Sequence, residues 1–588
     1  MEKSWRRPLP WVVLVALAVR LLYLATAKSP SFAEPLIDAD YYDYLGERLS
    51  QGLGFPDPVF WQPPLYPLLL AGLYALLGHQ LLWPRLLQAL LGALLAALCC
   101  DLAERATGRR LAGLAAGLLV ALHGPLVFYE GELLPTALAT FLGTLALWLS
   151  VAGRPSWLRA ALSGVAIGLG ALAVAPTFLL VLPVGGGLFR ARKALGVCCL
   201  AACVACILPA TLSNRLRGGE WIPISANGGV NLWIGNNADA DRMIALRPGA
   251  GWERLVEEPT RRGLRTPGQH DAWFVQKAAH WCTSWPRACL GNLAWKARLL
   301  LASRELPRNE DLAVIREDSP VLTVLAPQAG GAALPYVLLL PLAAAGAVHA
   351  WRERNRLLGR VLAAAGALAL SPLVFFVTGR YRTPLAPMLC VLAAAGLASL
   401  VSRPRSWSAW LAAAALLAVS VWPVRLAVDA VDFESEMYFV VGGRRARLGD
   451  DAGAVRAWER ALTKRPDYLE AGFNRALALE RLGKPREAAA AYEAVLQHHP
   501  DHLEARWRRG LALLSARELS SAWDVFLALS HEPRTEPLGL LGLARVALAR
   551  GELEAADGWL TRAEQRGGRG TESAEVRRAL EAARHATP

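Results

Sequence analysis

Three clusters of charged residues in this chain have types and spacings suited to chemistry. Asp38-Ala39-Asp40-Tyr41-Tyr42 follows directly on the first long apolar stretch. Tyr129-Glu130-Gly131-Glu132 lies in a short segment between two later apolar stretches, and Arg380-Tyr381-Arg382 lies in another. Acids held at the edge of a bilayer are costly, and such residues usually have a task. A carboxylate within reach of a hydroxyl removes its proton, and partial burial tunes it toward working pH. A guanidinium never loses its charge and forks onto phosphate oxygens. Carboxylates facing arginines over a membrane surface therefore suggest chemistry on a lipid-linked phosphate.

For these groups to meet, the apolar stretches must place them on one side of a membrane. The chain has 588 residues, 54% hydrophobic and 19% charged. Its long apolar runs stop near residue 430, which indicates a polytopic membrane domain followed by a soluble tail. The division expected is 1–430 and 431–588. The formal charge of +14 does not indicate nucleic acid, because the excess Lys and Arg sits in short loops between spans, where it sets orientation. Several of the 21 tryptophans fit interfacial anchoring among membrane lipids.

The basic start, Met1 to Arg7, precedes an apolar stretch from Pro8 to Ala27. Its close in Ala25-Thr26-Ala27 resembles a signal peptide. Its length and the interrupting Arg20 favour a retained helix with a cytoplasmic N-terminus. Residues 28 to about 80 then lie outside, and Pro63-Pro64-Leu65-Tyr66-Pro67 opens a short apolar segment suited to the membrane surface. Further spans are expected near 81–101, 111–128, 134–152, 160–175, 177–189, 194–212, 333–350, 358–378, 385–402 and 407–427, making eleven. Basic residues including Arg109, Arg110, Arg190, Arg192, Arg352, Arg354, Arg403 and Arg405 fall at cytoplasmic turns on this count. The weak point is 160–189, where two short spans compete with one re-entrant feature. Asp38, Asp40, Glu130, Glu132, Arg380 and Arg382 come out on the same, outer face. The loop from about 213 to 330 covers them.

From about 436 onward the sequence repeats every 34 residues. Ala454, Ala488, Ala522 and Ala556 keep that interval, as do Trp458, Tyr492 and Phe526, and Gly449 and Gly483. Pro466-Asp467 recurs as Pro500-Asp501. This is the tetratricopeptide signature, paired helices stacked into an α-solenoid that binds peptides or partner proteins. Two repeats are clear, and a third and fourth, around Gly551, are degenerate. The fold class expected is mainly α, an α-helical membrane domain followed by an α-solenoid.

The order of these motifs, with Leu49, Gly52 and Thr107-Gly108-Arg109-Arg110 between them, resembles the C-type (GT-C) membrane glycosyltransferases. The branch is that of protein O-mannosyltransferases and lipid A aminoarabinose transferases, and the resemblance covers about residues 8–400. It implies a polyprenyl-phosphate sugar donor, an acceptor protein or glycolipid on the outer face, and inversion at the sugar carbon. It makes Asp38 or Asp40 the general base, Glu132 and then Glu130 the second-loop acid, and Arg380, Tyr381 and Arg382 the substrate-binding turn. Asp40 also suits capping of the helix that begins near Tyr41. Relatives often carry a cation before the proline where Ala175-Pro176 stands, and this chain has none there. The setting implied is the cell envelope, a multi-pass protein of the cytoplasmic membrane with its repeat array in the periplasm and no nucleic-acid partner. A degenerate transferase body that only anchors the repeats, and a glycan ligase or polymerase using a pyrophosphate carrier, are the alternatives.

No cofactor follows from these motifs, and a divalent metal stays open. Asp239-Ala240-Asp241 is spaced like a metal-holding pair but reads as a polar turn, because no nucleotide-binding alternation of strands and helices surrounds it. His123 and His280 have no partner at metal-ligand spacing and read as structural. Of nine cysteines, Cys282 and Cys289 lie in the large loop. They could pair if that loop faces an oxidising compartment, although on one continuous helix their seven-residue interval is ~10 Å of rise, too far for a disulfide. The others read as small packed hydrophobes.

Overall fold

The structure, a computed structural model, describes residues 9–246, 250–329, 332–568 and 570–586. The basic start Met1 to Arg7 lies outside the described residues. The chain forms two compact units, the first ending at Val431 and the second opening at Asp432.

The first unit is built of apolar helices. Among the described residues, six are long and apolar enough to cross a membrane: Leu9–Thr26, Leu82–Thr107, Lys193–Gly218, Leu334–Arg352, Arg356–Val374 and Gly379–Ser402. Arg110–Ala121 and Gly124–Gly131 form a seventh span if the 48° bend between them is one broken crossing. Thr136–Val151, Trp157–Ala173, Ala175–Ala191 and Trp407–Val421 are apolar but shorter. A count of eleven requires all four. The stretch singled out as weak is irregular: Ala175–Leu180 is a 3-10 helix, Val181–Gly185 a π turn and Gly186–Ala191 a short α-helix. Pro176, Pro183 and three successive glycines account for this, since each removes a helical donor or a helical preference.

Small residues let these helices approach closely, as membrane packing requires. Ala93, Ala96, Cys99, Cys100 and Ala103 of one helix meet Ala116 and Val120 of the next in a shared core. Cys199, Cys203 and Cys390 are buried in the same core. The short helix Asp38–Ser50 lies on Leu65–Leu77, and Gly46 makes this possible: a Cβ there would stand 2.6 Å from Leu70 Cβ.

The loop beyond Gly218 is helical, with Gly228–Gly235, Pro267–Ser284 and Pro286–Leu300 as its main pieces. Among the described residues its strands are two residues each, Gln328–Ala329 against Ala332–Ala333. Asp239 donates its N–H to Asn237 Oδ1 at 2.7 Å, which makes the Asp239–Asp241 region an Asx turn leading into helix Ala240–Ile244. Cys282 and Cys289 are joined in a disulfide. The reason is a chain break: helix Pro267–Ser284 stops, Trp285 turns, and Pro286 starts a new helix. The two Cα atoms are thereby 5.1 Å apart.

The second unit stacks four helix pairs and a closing helix. The pairs are Phe433–Arg447 with Asp451–Lys464, Leu469–Arg481 with Pro485–His498, Leu503–Ser515 with Leu519–Ser530, and Glu536–Arg550 with Leu553–Gln565. Thr571–Ala586 follows. The periodic aromatics Trp458, Tyr492 and Phe526 are all buried in one continuous core. The turn within each pair needs a left-handed residue. Gly449, Gly483 and Gly551 supply it, and at the remaining position, 34 residues from its neighbours, Arg517 adopts φ 64°. The degenerate repeat keeps the turn without the glycine.

Candidate functional site

Helix Asp38–Ser50 begins on an unusual residue. Ile37 has φ 52°, a region that β-branched residues rarely adopt. Strain of this kind collects at functional sites and costs ~1–3 kcal/mol. It sits directly before Asp38, whose Oδ2 lies 2.5 Å from Arg380 Nη1. These two residues are 342 positions apart in sequence. Arg380 belongs to the single turn Gly379–Arg382, which Thr378 caps by accepting the Tyr381 N–H.

Asp38 and Arg380 line a cavity of about 260 Å³. Tyr41, Gln62, Tyr129, Asn231, Arg308, Glu310 and Tyr381 also face it. A second cavity, about 140 Å³, adjoins the first and is mostly apolar, with Pro63, Val174, Pro176, Leu368 and Phe376 in its wall. Gln62, Asn227, Asn231, Arg380 and Tyr381 line both. Arg380 therefore stands where a polar chamber meets an apolar cleft. Asp40 is half-buried in the first turn of its helix and lines neither cavity.

Arg382 faces the other way and is buried. Its Nη1 donates to Ala302 O at 2.5 Å, and its Nη2 to Arg304 O at 2.7 Å and Glu305 Oε1 at 3.3 Å. Its guanidinium also stacks on Tyr336, 3.8 Å from the ring centre. With the Gly379 N–H donating to Leu306 O at 2.8 Å, it clamps the segment 302–306 beside the arginine turn. That clamp carries the next residues, Arg308 and Glu310, to the cavity wall.

Arg308 is the cation that sequence reasoning missed. Its guanidinium lies 4.2 Å from the Phe376 ring centre. Among the described residues it has no hydrogen bond or ion pair. Burial lowers its pKa; the neighbouring Tyr381 and Asp38 oppose that and Arg380 adds to it. Glu310 was missed as well. Burial first, and then the Glu132 charge, hold its carboxyl well above the ordinary range. The signal for both was the dense charged run Arg304 to Asp311 inside the covering loop.

Glu132 is buried behind the cavity wall, with no hydrogen-bond partner on Oε1. Burial pushes its carboxyl up to about 7, and Arg85 opposes the shift. Its backbone is fixed by Gln88, whose Nε2 donates to Glu130 O at 2.7 Å and Glu132 O at 2.8 Å. Tyr66 in turn donates to Gln88 Oε1 at 2.7 Å. Glu130 points into the helical core, where its two oxygens meet Arg20 at 2.6 and 3.1 Å. It lines neither cavity. His123 caps helix Gly124–Gly131 through Nδ1, accepting the Leu126 N–H at 3.3 Å. Among the described residues no three His, Cys, Asp or Glu side chains form a metal-binding group.

The fold is that of a multi-pass membrane protein followed by a tetratricopeptide array. Residues 24–191 match the dolichyl-phosphate-mannose-protein mannosyltransferase family, and residues 473–537 match the tetratricopeptide repeat. Among curated proteins none matches the chain. Of solved structures, ArnT from Cupriavidus metallidurans bound to undecaprenyl phosphate is similar at 16% identity and a TM-score of 0.37, over 89% of this chain and 81% of that one. The same protein in the apo state gives 16% identity and a TM-score of 0.36, over 83% and 80%.

Proposed function

We propose that this protein transfers a sugar from a polyprenyl-phosphate carrier to a hydroxyl of an acceptor on the outer face of the cytoplasmic membrane. The observation that carries this reading is the position of the Asp38–Arg380 pair at the junction of a polar cavity and an apolar cleft. An amphiphile with a phosphate at its waist suits that junction, its chain in the cleft and its sugar in the chamber. The family matched by residues 24–191 is one named for a lipid-phosphate sugar donor.

In the reaction, the acceptor oxygen attacks the anomeric carbon from the face opposite the phosphate. The new C–O bond forms as the bond to the phosphate oxygen breaks, which inverts the centre. The acceptor proton passes to Asp38 through Oδ1, the oxygen not engaged by Arg380. The departing phosphate keeps the electron pair of the broken bond, and fixed cations stabilise that charge. Arg380 presents five N–H donors, so it holds Asp38 with one and a phosphate with others. Arg308 adds a second guanidinium, in place of the cation lacking before Pro176. A phosphate leaving group needs no proton, so one base suffices.

On this reading the N-terminus is cytoplasmic and the repeat array periplasmic, where it holds the acceptor protein or an assembly partner. The experiment is transfer of labelled sugar from a polyprenyl-monophosphate donor in membranes carrying Asp38→Asn or Asp40→Asn. Asp38→Asn should abolish transfer and Asp40→Asn should retain it. Wild-type transfer by Asp38→Asn refutes the assignment.

A further inference from the structure

A third cavity, about 460 Å³, lies in the extramembrane part of the first unit. The Asp57–Trp61 segment and the helices Gly228–Gly235, Ala250–Val256 and Pro267–Ser284 build it. It shares Tyr41, Trp61, Val230 and Trp252 with the Asp38 cavity, so the two chambers meet across that wall. Their chemistry differs. The Asp38 chamber presents Arg308 and Arg380. The annex presents two carboxylates, Asp57 and Asp271, beside the aromatic side chains of Tyr41, Trp61, Trp252 and Phe274. Among the described residues no Lys or Arg lines it. Asp271 is positioned by the Gly229 N–H, which donates to its Oδ1 at 2.5 Å and leaves the second oxygen to a ligand. Asp57 is exposed at the rim.

We propose that this annex binds a neutral saccharide ring of the acceptor and presents its hydroxyl to Asp38. Sugar rings bury their C–H faces on aromatic side chains, which supply flat apolar area at low entropic cost. Ring hydroxyls donate to carboxylates, which only accept when ionised. A phosphorylated group would meet Asp57 and Asp271 there and is disfavoured by repulsion, His270 being the one basic side chain in the described lining. A peptide added as a β-strand would need a sheet edge, and the walls of the annex are helices and irregular segments. The volume falls in the range of small-ligand sites. The assignment rests on the transferase reading of the neighbouring chamber and names the class of its acceptor.

The test uses the purified full chain in nanodiscs. Neutral tetrasaccharides of the gluco, galacto, manno and N-acetylglucosamine series are titrated by ligand-observed NMR, with a serine-rich peptide alongside. At least one saccharide should bind. Asp57→Ala and Trp252→Leu should each weaken it about tenfold, the size of one lost charge-assisted hydrogen bond or ring contact. The annex assignment is overturned if no saccharide binds, if binding survives both substitutions unchanged, or if the peptide binds in place of a saccharide. Undecaprenyl phosphate titrated into the same wild-type sample reports on the donor chamber. Its failure to bind would count against the transferase reading itself.

Discussion

Replacing Arg308 by Gln should weaken the hold on a polyprenyl phosphate while leaving the fold almost unchanged. Among the described residues, the one ring contact of Arg308 is its stack on Phe376 at 4.2 Å. Losing it costs about 0.5–2 kcal/mol. Against this, the substitution removes a buried cation with no ion partner among the described residues, which relieves a desolvation penalty of similar size. Net stability should therefore shift by less than about 1 kcal/mol. Donor binding should respond quite differently. One bidentate arginine–phosphate contact supplies about 2–3 kcal/mol, or roughly 30- to 150-fold in Kd. Arg382→Gln is the control with the opposite pattern. It removes hydrogen bonds to Ala302 O and Arg304 O and leaves Glu305 buried without its cation. That should cost about 3–5 kcal/mol of stability. Titration of undecaprenyl phosphate, followed by tryptophan fluorescence, and thermal melts in the same detergent read both quantities. An Arg308→Gln protein that binds the lipid phosphate within twofold of wild type, or melts as early as Arg382→Gln, would refute the assignment of the free guanidinium to the phosphate.

Three other outcomes follow. The folded Glu132 carboxyl is raised from 4.5 to about 7, so the stability tied to its protonated form is fully present below 4.5 and is lost as pH rises to about 7; melts should fall across that window and level off above it, and Glu132→Gln should flatten the fall. Arg517→Gly should stabilise the repeat array by about 1 kcal/mol in denaturant melts, because glycine takes φ 64° without the Cβ clash. Phe526→Ala should destabilise the same array by about 3–5 kcal/mol, since its ring is fully buried between Gly510 and Gly542.

Features that depend on composition and period were legible in the chain. Apolar runs marked the long spans, and the 34-residue interval marked the solenoid even where Arg517 replaces glycine. Parity of spans placed Asp38 and Arg380 on one face, and the structure brings these two into contact. Neighbouring charges that sequence reading grouped together came apart in the structure. Asp38 and Asp40, Glu130 and Glu132, and Arg380 and Arg382 are each two residues apart. For the aspartates and the arginines, which lie on helical turns, that interval is about 200° of rotation, so both members cannot face one cavity; Glu130 lies in the last turn of a helix and Glu132 follows it in extended backbone. Asp38 and Arg380 point inward, Arg382 clamps the loop, and Glu130 turns back to Arg20. The Cys282–Cys289 pairing was obscured by treating the region as one helix, although Pro286 marks the break. Arg308 and Glu310 stayed hidden because their placement depends on the Arg382 clamp, a contact some 80 residues away in sequence.

The central claim is that Asp38 takes the acceptor proton while Arg380 and Arg308 hold the phosphate. Its most direct test is a single-turnover measurement with purified protein, a polyprenyl-monophosphate sugar and acceptor-bearing membranes, comparing wild type with Asp38→Asn. Binding of the donor should persist in the variant while sugar transfer falls by about 10²- to 10⁴-fold, the range of a lost general base. Transfer at the wild-type rate with donor bound would contradict the account.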